Sequence, residues 1–155
     1  VDRLAHCLER HGVHHYLVEI GGELRGAGMK PDGQPWWVTL EGVPGLEDTP
    51  TVAALHGLAV ATSGDYRRYF DHGAQRASHT LDPRTGYPIA NDIASCTVLH
   101  ASCMAADALS TAITVLGPVA GLAFAEERNL AARLLLRRPG GLEQRTSRSW
   151  QAMLQ

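Results

Sequence analysis

Ile93-Ala94-Ser95-Cys96-Thr97-Val98-Leu99-His100, the segments 104–116 and 119–128, and Ala131-Ala132-Arg133-Leu134-Leu135-Leu136 together decide the class of the fold. The first segment has the apolar and β-branched content of a strand. In the second, Met104, Ala108, Ile113 and Val115 stand among small residues in a helix that Gly117-Pro118 ends, and a further helix runs from Val119 to Arg128. Residues 131–136 then read as a buried strand. Helices that come in a cluster do not fit the strict strand–helix alternation of a Rossmann sheet.

Outward from this block, toward the N-terminus, strands arrive in pairs. Tyr16-Leu17-Val18-Glu19-Ile20 reads as a strand that Gly21-Gly22 either ends or opens to close approach of another group, with resumption over Glu23-Leu24-Arg25 as a further option. Pro31-Asp32-Gly33 is a turn signal, Trp36 to Leu40 a second strand, and the pair predicts an antiparallel hairpin. Glu41 to Gly45 has a loop composition, and a third strand covers Leu58 to Thr62. Tyr66 to Phe70 and Arg76 to Leu81 flank Asp71-His72-Gly73 as another hairpin, after which Asp82-Pro83-Arg84-Thr85-Gly86 forces a tight loop. The tail from Arg137 carries weaker signals. The sum is an α+β fold: a mostly antiparallel sheet with packed helices.

The 155 residues are 45% hydrophobic, enough for one core and one domain. Fourteen Lys and Arg against sixteen Asp and Glu leave a net charge of -2, without the basic surplus that tracks nucleic acid phosphates, so no nucleic acid partner is expected. No apolar run approaches the ~20 residues of a membrane-spanning helix. Cys7, Cys96 and Cys103 are odd in number and lack C-x-x-C spacing, which indicates neither a disulfide framework nor a zinc ribbon. Val1-Asp2-Arg3-Leu4 opens without Met, as though already inside a helix, with Leu4 and Leu8 at helical spacing and Gly12 at the C-terminal cap. The expectation is a chain cut from a longer one.

Two constellations carry chemistry. In His79-Thr80-Leu81-Asp82-Pro83-Arg84-Thr85-Gly86 a titratable ring leaves a strand just before a rigid turn, which can hold a base in place. The plainer reading is that Asp82 and Thr85 bond only their own turn. In Ala106-Asp107-Ala108-Leu109-Ser110-Thr111-Ala112, Asp107 and Thr111 share a helix face, and with a backbone carbonyl such as that of Ser110 they form a set of hard oxygen ligands suited to Mg2+. The alternative there is a helix-dipole role for Asp107, with Thr111 bonding back to a carbonyl one turn earlier. Ser63-Gly64-Asp65-Tyr66, at a strand end, is a third group placed to line a pocket. Gly21-Gly22-Glu23 lacks dinucleotide-fingerprint spacing and points to close backbone packing. Cys7, His11, His14 and His15 read as surface residues rather than a metal cluster, and a Ser63, His79 and Asp82 triad lacks a nucleophile elbow.

Val18 to Arg25, Ala61-Thr62-Ser63-Gly64-Asp65-Tyr66, His79 to Pro88 and Ala106 to Ala112 occur in an order that resembles the ApbE family of FAD:protein FMN transferases, over Val1 to about Leu136. The resemblance implies an ApbE-like, T-fold-like architecture, with residues 1–155 as the C-terminal part of a single flavin transferase domain. It implies Mg2+-dependent transfer of the FMN part of FAD to a Thr or Ser hydroxyl of an acceptor protein, with release of AMP. Carried over by position, it makes Asp107 and Thr111 side-chain ligands of Mg2+ and Ser110 a backbone-carbonyl ligand. His79 becomes the group that assists the acceptor hydroxyl, and Leu81, Asp82 and Thr85 become flavin-binding positions. The family is about twice this length, so the resemblance also implies an uncovered sheet edge, marginal stability or self-association, and dependence on an N-terminal half. Carriage of FAD without transfer, or its hydrolysis to FMN and AMP, are the alternatives. The family's setting is the bacterial cell envelope, often as a lipoprotein, or the cytoplasm.

Overall fold

The structure, a computed structural model, describes residues 1–46, 50–66, 69–72 and 75–154. Helix α1 (Asp2–Arg10) leads into β1 (Tyr16–Ile20), β2 (Glu23–Ala27), β3 (Trp36–Thr39), β4 (Val52–Leu55), β5 (Leu58–Gly64), β6 (Tyr69–His72) and β7 (Gln75–Ser78). Then come β8 (Ile93–His100), α2 (Cys103–Leu116), α3 (Pro118–Glu127), β9 (Ala131–Arg138), β10 (Gly141–Thr146) and α4 (Arg148–Ala152). Six strands form one sheet in the order β1-β2-β5-β8-β9-β10, and every neighbouring pair in it is antiparallel. The α+β class with an antiparallel sheet is therefore present.

Both faces of the sheet are covered at its centre, which explains why β8 and β9 read as near-continuous apolar runs instead of alternating ones. Cys96 and Val98 of β8, with Ala132, Leu134 and Leu136 of β9, pack beneath Ala106, Ile113 and Ala125 of α2 and α3. Leu99 and Ala131, on the opposite face, meet Val38, Ala53 and Leu55 of the β3–β4 hairpin and Trp150 of α4. A register shift between Ile93 and Ser95 breaks the two-residue alternation and puts Ile93 on the same face as Cys96.

The pairing of the first strands corrects the sequence-based expectation. Gly21 and Gly22 have φ of +70° and +103°, so they turn the chain back on itself, and Glu23–Ala27 runs antiparallel to Tyr16–Ile20 instead of prolonging it. Trp36–Thr39 does not pair with the first strand; its partner is Val52–Leu55, a short alanine-containing strand without a clear signal of its own. A β6–β7 hairpin forms, with Tyr69 opposite Ser78 and His72 opposite Gln75, but Asp71 and His72, expected in its turn, are paired strand residues and the second strand stops at Ser78 before Leu81; Gly73 lies outside the described residues. The tail holds a strand and a helix that weak signals concealed. In α1 the buried residue is Ala5, not Leu4, and it packs on Tyr16 and Val18. Among the described residues no helix is long and apolar enough to cross a membrane.

Candidate active site

Helix α2 is positioned from both sides. At its N-terminus the Ser102 hydroxyl caps Ala105 N at 3.3 Å. Asp2 of α1 adds a carboxylate that accepts from Ser102 Oγ at 2.8 Å and from Cys103 N and Met104 N at 3.0 Å. Arg25 Nη1 donates to the same carboxylate at 2.8 Å. Burial alone would raise the pKa of Asp2, but the two backbone N–H groups, Arg25 and Ser102 outweigh it and hold the carboxyl well below its usual range.

One turn into this helix, Asp107 and Thr111 project into a cavity of about 1170 Å³. Other walls of that cavity come from the Gly21-Gly22 turn, the segment leaving β3 and the end of β5. His79, Thr80 and Leu81, which follow β7, complete it. Residues from four parts of the chain that the sequence marked separately thus face one space. Glu23 and Asp107 also border a second cavity of about 790 Å³, into which Arg3, His6 and Arg10 of α1 project.

Three hydroxyls connect β5 to α2. Ser63 Oγ lies 2.7 Å from Ser110 Oγ and 2.9 Å from Thr111 Oγ1, and Ser110 Oγ donates to the Asp107 carbonyl at 2.9 Å. Thr111 therefore bonds across to the sheet, and it is Ser110 that bonds back along the helix. Ser110 is fully buried, and its own carbonyl accepts from Thr114 Oγ1 at 2.8 Å. The Asp107 carboxylate has no hydrogen bond or ion pair among the described residues. A partnerless carboxylate beside a hydroxyl one helical turn away is a hard-oxygen donor set, which fits a small divalent cation.

The His79 loop is closed by its backbone. Ile89 N donates to Thr80 O at 3.0 Å, Leu81 bridges to Pro88, and Asp82 N donates to Tyr87 O at 2.8 Å. Leu81 lines the cavity, whereas Asp82 and Thr85 do not. The Asp82 carboxylate takes Arg84 N and Nε at 2.9 Å and Arg84 Nη2 at 2.7 Å, which lowers its pKa. Thr85 Oγ1 accepts from Tyr87 N at 3.2 Å. Both residues shape the loop that presents His79 and Leu81.

Ser63 and Gly64 line the cavity with Tyr66, while Asp65 turns away to Arg137 Nη2 at 2.6 Å. A Cβ on Gly64 would sit 2.5 Å from Cε1 of the Tyr66 ring, so the bare glycine lets that ring lie over the strand. The N-terminal cysteine and histidines stay apart as a metal set. Cys7 Sγ is 3.9 Å from His11 Nδ1, His15 Nδ1 accepts from Met29 N, and no metal-holding group of three acidic, His or Cys residues exists among the described residues. Burial pushes the Cys103 thiol up to about 11, which leaves it a poor nucleophile. The place of Ser63 in the cavity wall is legible in the sequence, but its bond to Thr111 and the role of Asp2 are not, because the partners are 48 and 100 residues away.

The chain is similar in sequence and in fold to known proteins. The family model described as ApbE family matches residues 1–134. The FAD:protein FMN transferase of Haemophilus influenzae is 40% identical over 155 residues, taking in 99% of this chain and 45% of that protein. The enzyme of the same description from Vibrio cholerae is 39% identical, over 99% of this chain and 46% of its own length. Among solved structures, the apo form of the Pseudomonas stutzeri flavinyl transferase ApbE superposes with a TM-score of 0.89 at 42% identity, covering 99% of this chain and 48% of that one. The chain spans about half the length of the curated relatives it matches.

Proposed function

The chain belongs to the ApbE family, and from that premise we propose that it carries the metal and acceptor side of an FAD:protein FMN transferase site. The observation that carries this reading is the single cavity lined by His79 and Leu81 from one loop and by Asp107 and Thr111 from α2. A flavin diphosphate needs a divalent cation beside an apolar contact, and a hydroxyl nucleophile needs a base nearby. That cavity lines up side chains of each kind.

In this reading the carboxylate of Asp107 and the hydroxyl oxygen of Thr111 hold Mg2+, with the Ser110 carbonyl as a third oxygen that Thr114 Oγ1 must share. When bound, Mg2+ offsets the charge that builds on the departing phosphate. His79 takes the proton of a Thr or Ser hydroxyl on the acceptor protein. The hydroxyl oxygen forms a bond to the FMN phosphorus, the P–O bond to AMP breaks, and AMP leaves. Leu81 packs against the flavin, and Asp82 and Thr85 act by keeping the loop closed. The remaining length found in the relatives supplies the rest of the FAD-binding surface.

Denaturing mass spectrometry of the chain mixed with FAD, Mg2+ and a Thr-containing acceptor tests the proposal. The expected result is a gain on the acceptor equal to FMN in phosphoester linkage, absent with Asp107→Ala. FMN and AMP released without any labelled acceptor would replace transfer with hydrolysis at the same site. An acceptor labelled equally by Asp107→Ala would overturn the assignment.

A further inference from the structure

The proton positions of three hydroxyls near the cavity follow from counting donors. A serine or threonine hydroxyl has one proton to give and can accept through its oxygen lone pairs. Ser110 Oγ lies 2.9 Å from the Asp107 carbonyl oxygen, which only accepts, so the Ser110 proton is spent there. The 2.7 Å contact between Ser63 and Ser110 then requires Ser63 to donate. With the Ser63 proton committed, the 2.9 Å contact between Ser63 and Thr111 requires Thr111 to donate. The chain of donation runs one way, from Thr111 to Ser63 to Ser110 to the backbone of Asp107.

We infer that Ser63 and Ser110 are positioning residues: their relay aims the Thr111 proton at β5 and presents the Thr111 oxygen to the cavity as a pure acceptor for a divalent cation. The inference rests on the proposed reading of Asp107 and Thr111 as cation ligands. A threonine hydroxyl free to rotate spends part of its time with its proton toward a cation, which repels it; a hydroxyl whose proton is held elsewhere offers lone pairs at all times. No donor to Thr111 Oγ1 exists among the described residues, so those lone pairs are open. The relay ends on the backbone of Asp107, so the residue that supplies the carboxylate also anchors the orientation of the hydroxyl. The same count removes Ser63 as a nucleophile, because its proton is directed to Ser110 and not to a base.

The test is Mn2+ binding, with the free ion counted by electron paramagnetic resonance in the presence of FAD. Ser110→Ala keeps the backbone carbonyl and removes only the hydroxyl, and Ser63→Ala removes the central link. Each is expected to weaken Mn2+ binding about tenfold, the usual effect of removing a group that orients a ligand. Ser63→Thr, which keeps a hydroxyl, restores most of the affinity. In a Thr111→Val background, Ser63→Ala is expected to cost nothing further, since the relay then has no oxygen to orient. Circular dichroism spectra of the variants matching that of the unaltered chain tie the losses to the relay and not to unfolding. Unchanged affinity in both alanine variants, or additive losses in the double variant, would overturn the relay while Asp107→Ala still abolished binding. Unchanged affinity in Asp107→Ala would instead overturn the cation site, and the relay with it.

Discussion

The carboxylate of Asp2 accepts the hydroxyl proton of Ser102 at 2.8 Å across 100 residues of chain, and so ties the first helix to the start of the helix that bears Asp107 and Thr111. The same carboxylate meets two free N–H groups of that helix and the guanidinium of Arg25, so a charge is held where the helix dipole favours it. Helix α2 is therefore held at its N-terminus by α1, as well as along its length by the sheet.

Asp2→Asn is expected to lower stability by about 2 kcal/mol near neutral pH, because four charge-assisted bonds, three of them to part-buried donors, are weakened together. The folded-state pKa of Asp2 is depressed, so its contribution is complete above the unfolded value of about 3.9 and fades as pH falls toward the folded one. Urea unfolding of both proteins at about pH 7 and about pH 3 checks the sign, since below about 3.9 the unfolded Asp2 carboxyl takes up a proton that the native one does not, which narrows the gap. A gap equally wide at both would show that charge at Asp2 does not hold the helix.

Gly64→Ala is expected to displace the Tyr66 ring, which packs against Val43, Ala94 and Leu135. Overpacking of this kind costs about 1–3 kcal/mol. Tyr66 ring resonances assigned by NMR would shift, along with those of Val43 and Ala94. An unshifted Tyr66 would mean that the strand yields instead of the ring.

Much of the fold was legible where local pattern and burial coincide. Ile93–His100 is legible with its observed boundaries because both faces of that strand are buried and only the small Ser95 and Thr97 interrupt its apolar residues. Gly117-Pro118 marked the break between α2 and α3, where Gly117 has a φ of +83° and Pro118 starts the next helix. Pairing was less legible. A Gly-Gly step can pause a strand or reverse it, and only the positive φ values at Gly21 and Gly22 distinguish the two. Strand β10 carries no clear signal because its Glu143 pairs with Arg145 of the same strand and with Arg138 of β9, leaving no apolar alternation to detect. In the site, the spacing of four between Asp107 and Thr111 was enough to place them on one face. The bond from Thr111 to Ser63 depends on β5 lying beside α2, which no local pattern encodes.

Asp82→Ala is expected to loosen the loop that carries His79 and Leu81 without undoing its backbone closure. Thr85 N and Gly86 N donate to the Asp82 carbonyl at 3.1 Å and 2.7 Å, and alanine retains that acceptor. What is lost is the carboxylate that gathers Arg84 N and its guanidinium. Hydrogen exchange at Arg84 N should accelerate more than at Gly86 N, and trypsin should cut sooner after Arg84. Equal acceleration at both amides would mean that the side chain, not the backbone, closes the turn.

Asp107→Asn separates function from stability at a single atom. The Asp107 carboxylate is exposed and makes no hydrogen bond or ion pair among the described residues, so its charge contributes nothing to the packing of α2. Substitution at such a position leaves stability within about 0.5 kcal/mol. The backbone carbonyl that accepts from Ser110 is untouched, so the hydroxyl relay to Ser63 and Thr111 keeps its direction. A divalent cation held by Asp107 as proposed would, however, lose its one anionic ligand from α2, and amide oxygen is a far weaker partner for a hard cation than carboxylate. The expected outcome is an unchanged urea midpoint with cation affinity reduced at least about tenfold. Loss of stability in step with affinity would mean that the carboxylate has a structural partner, and α2 would then have no free carboxylate to offer a metal.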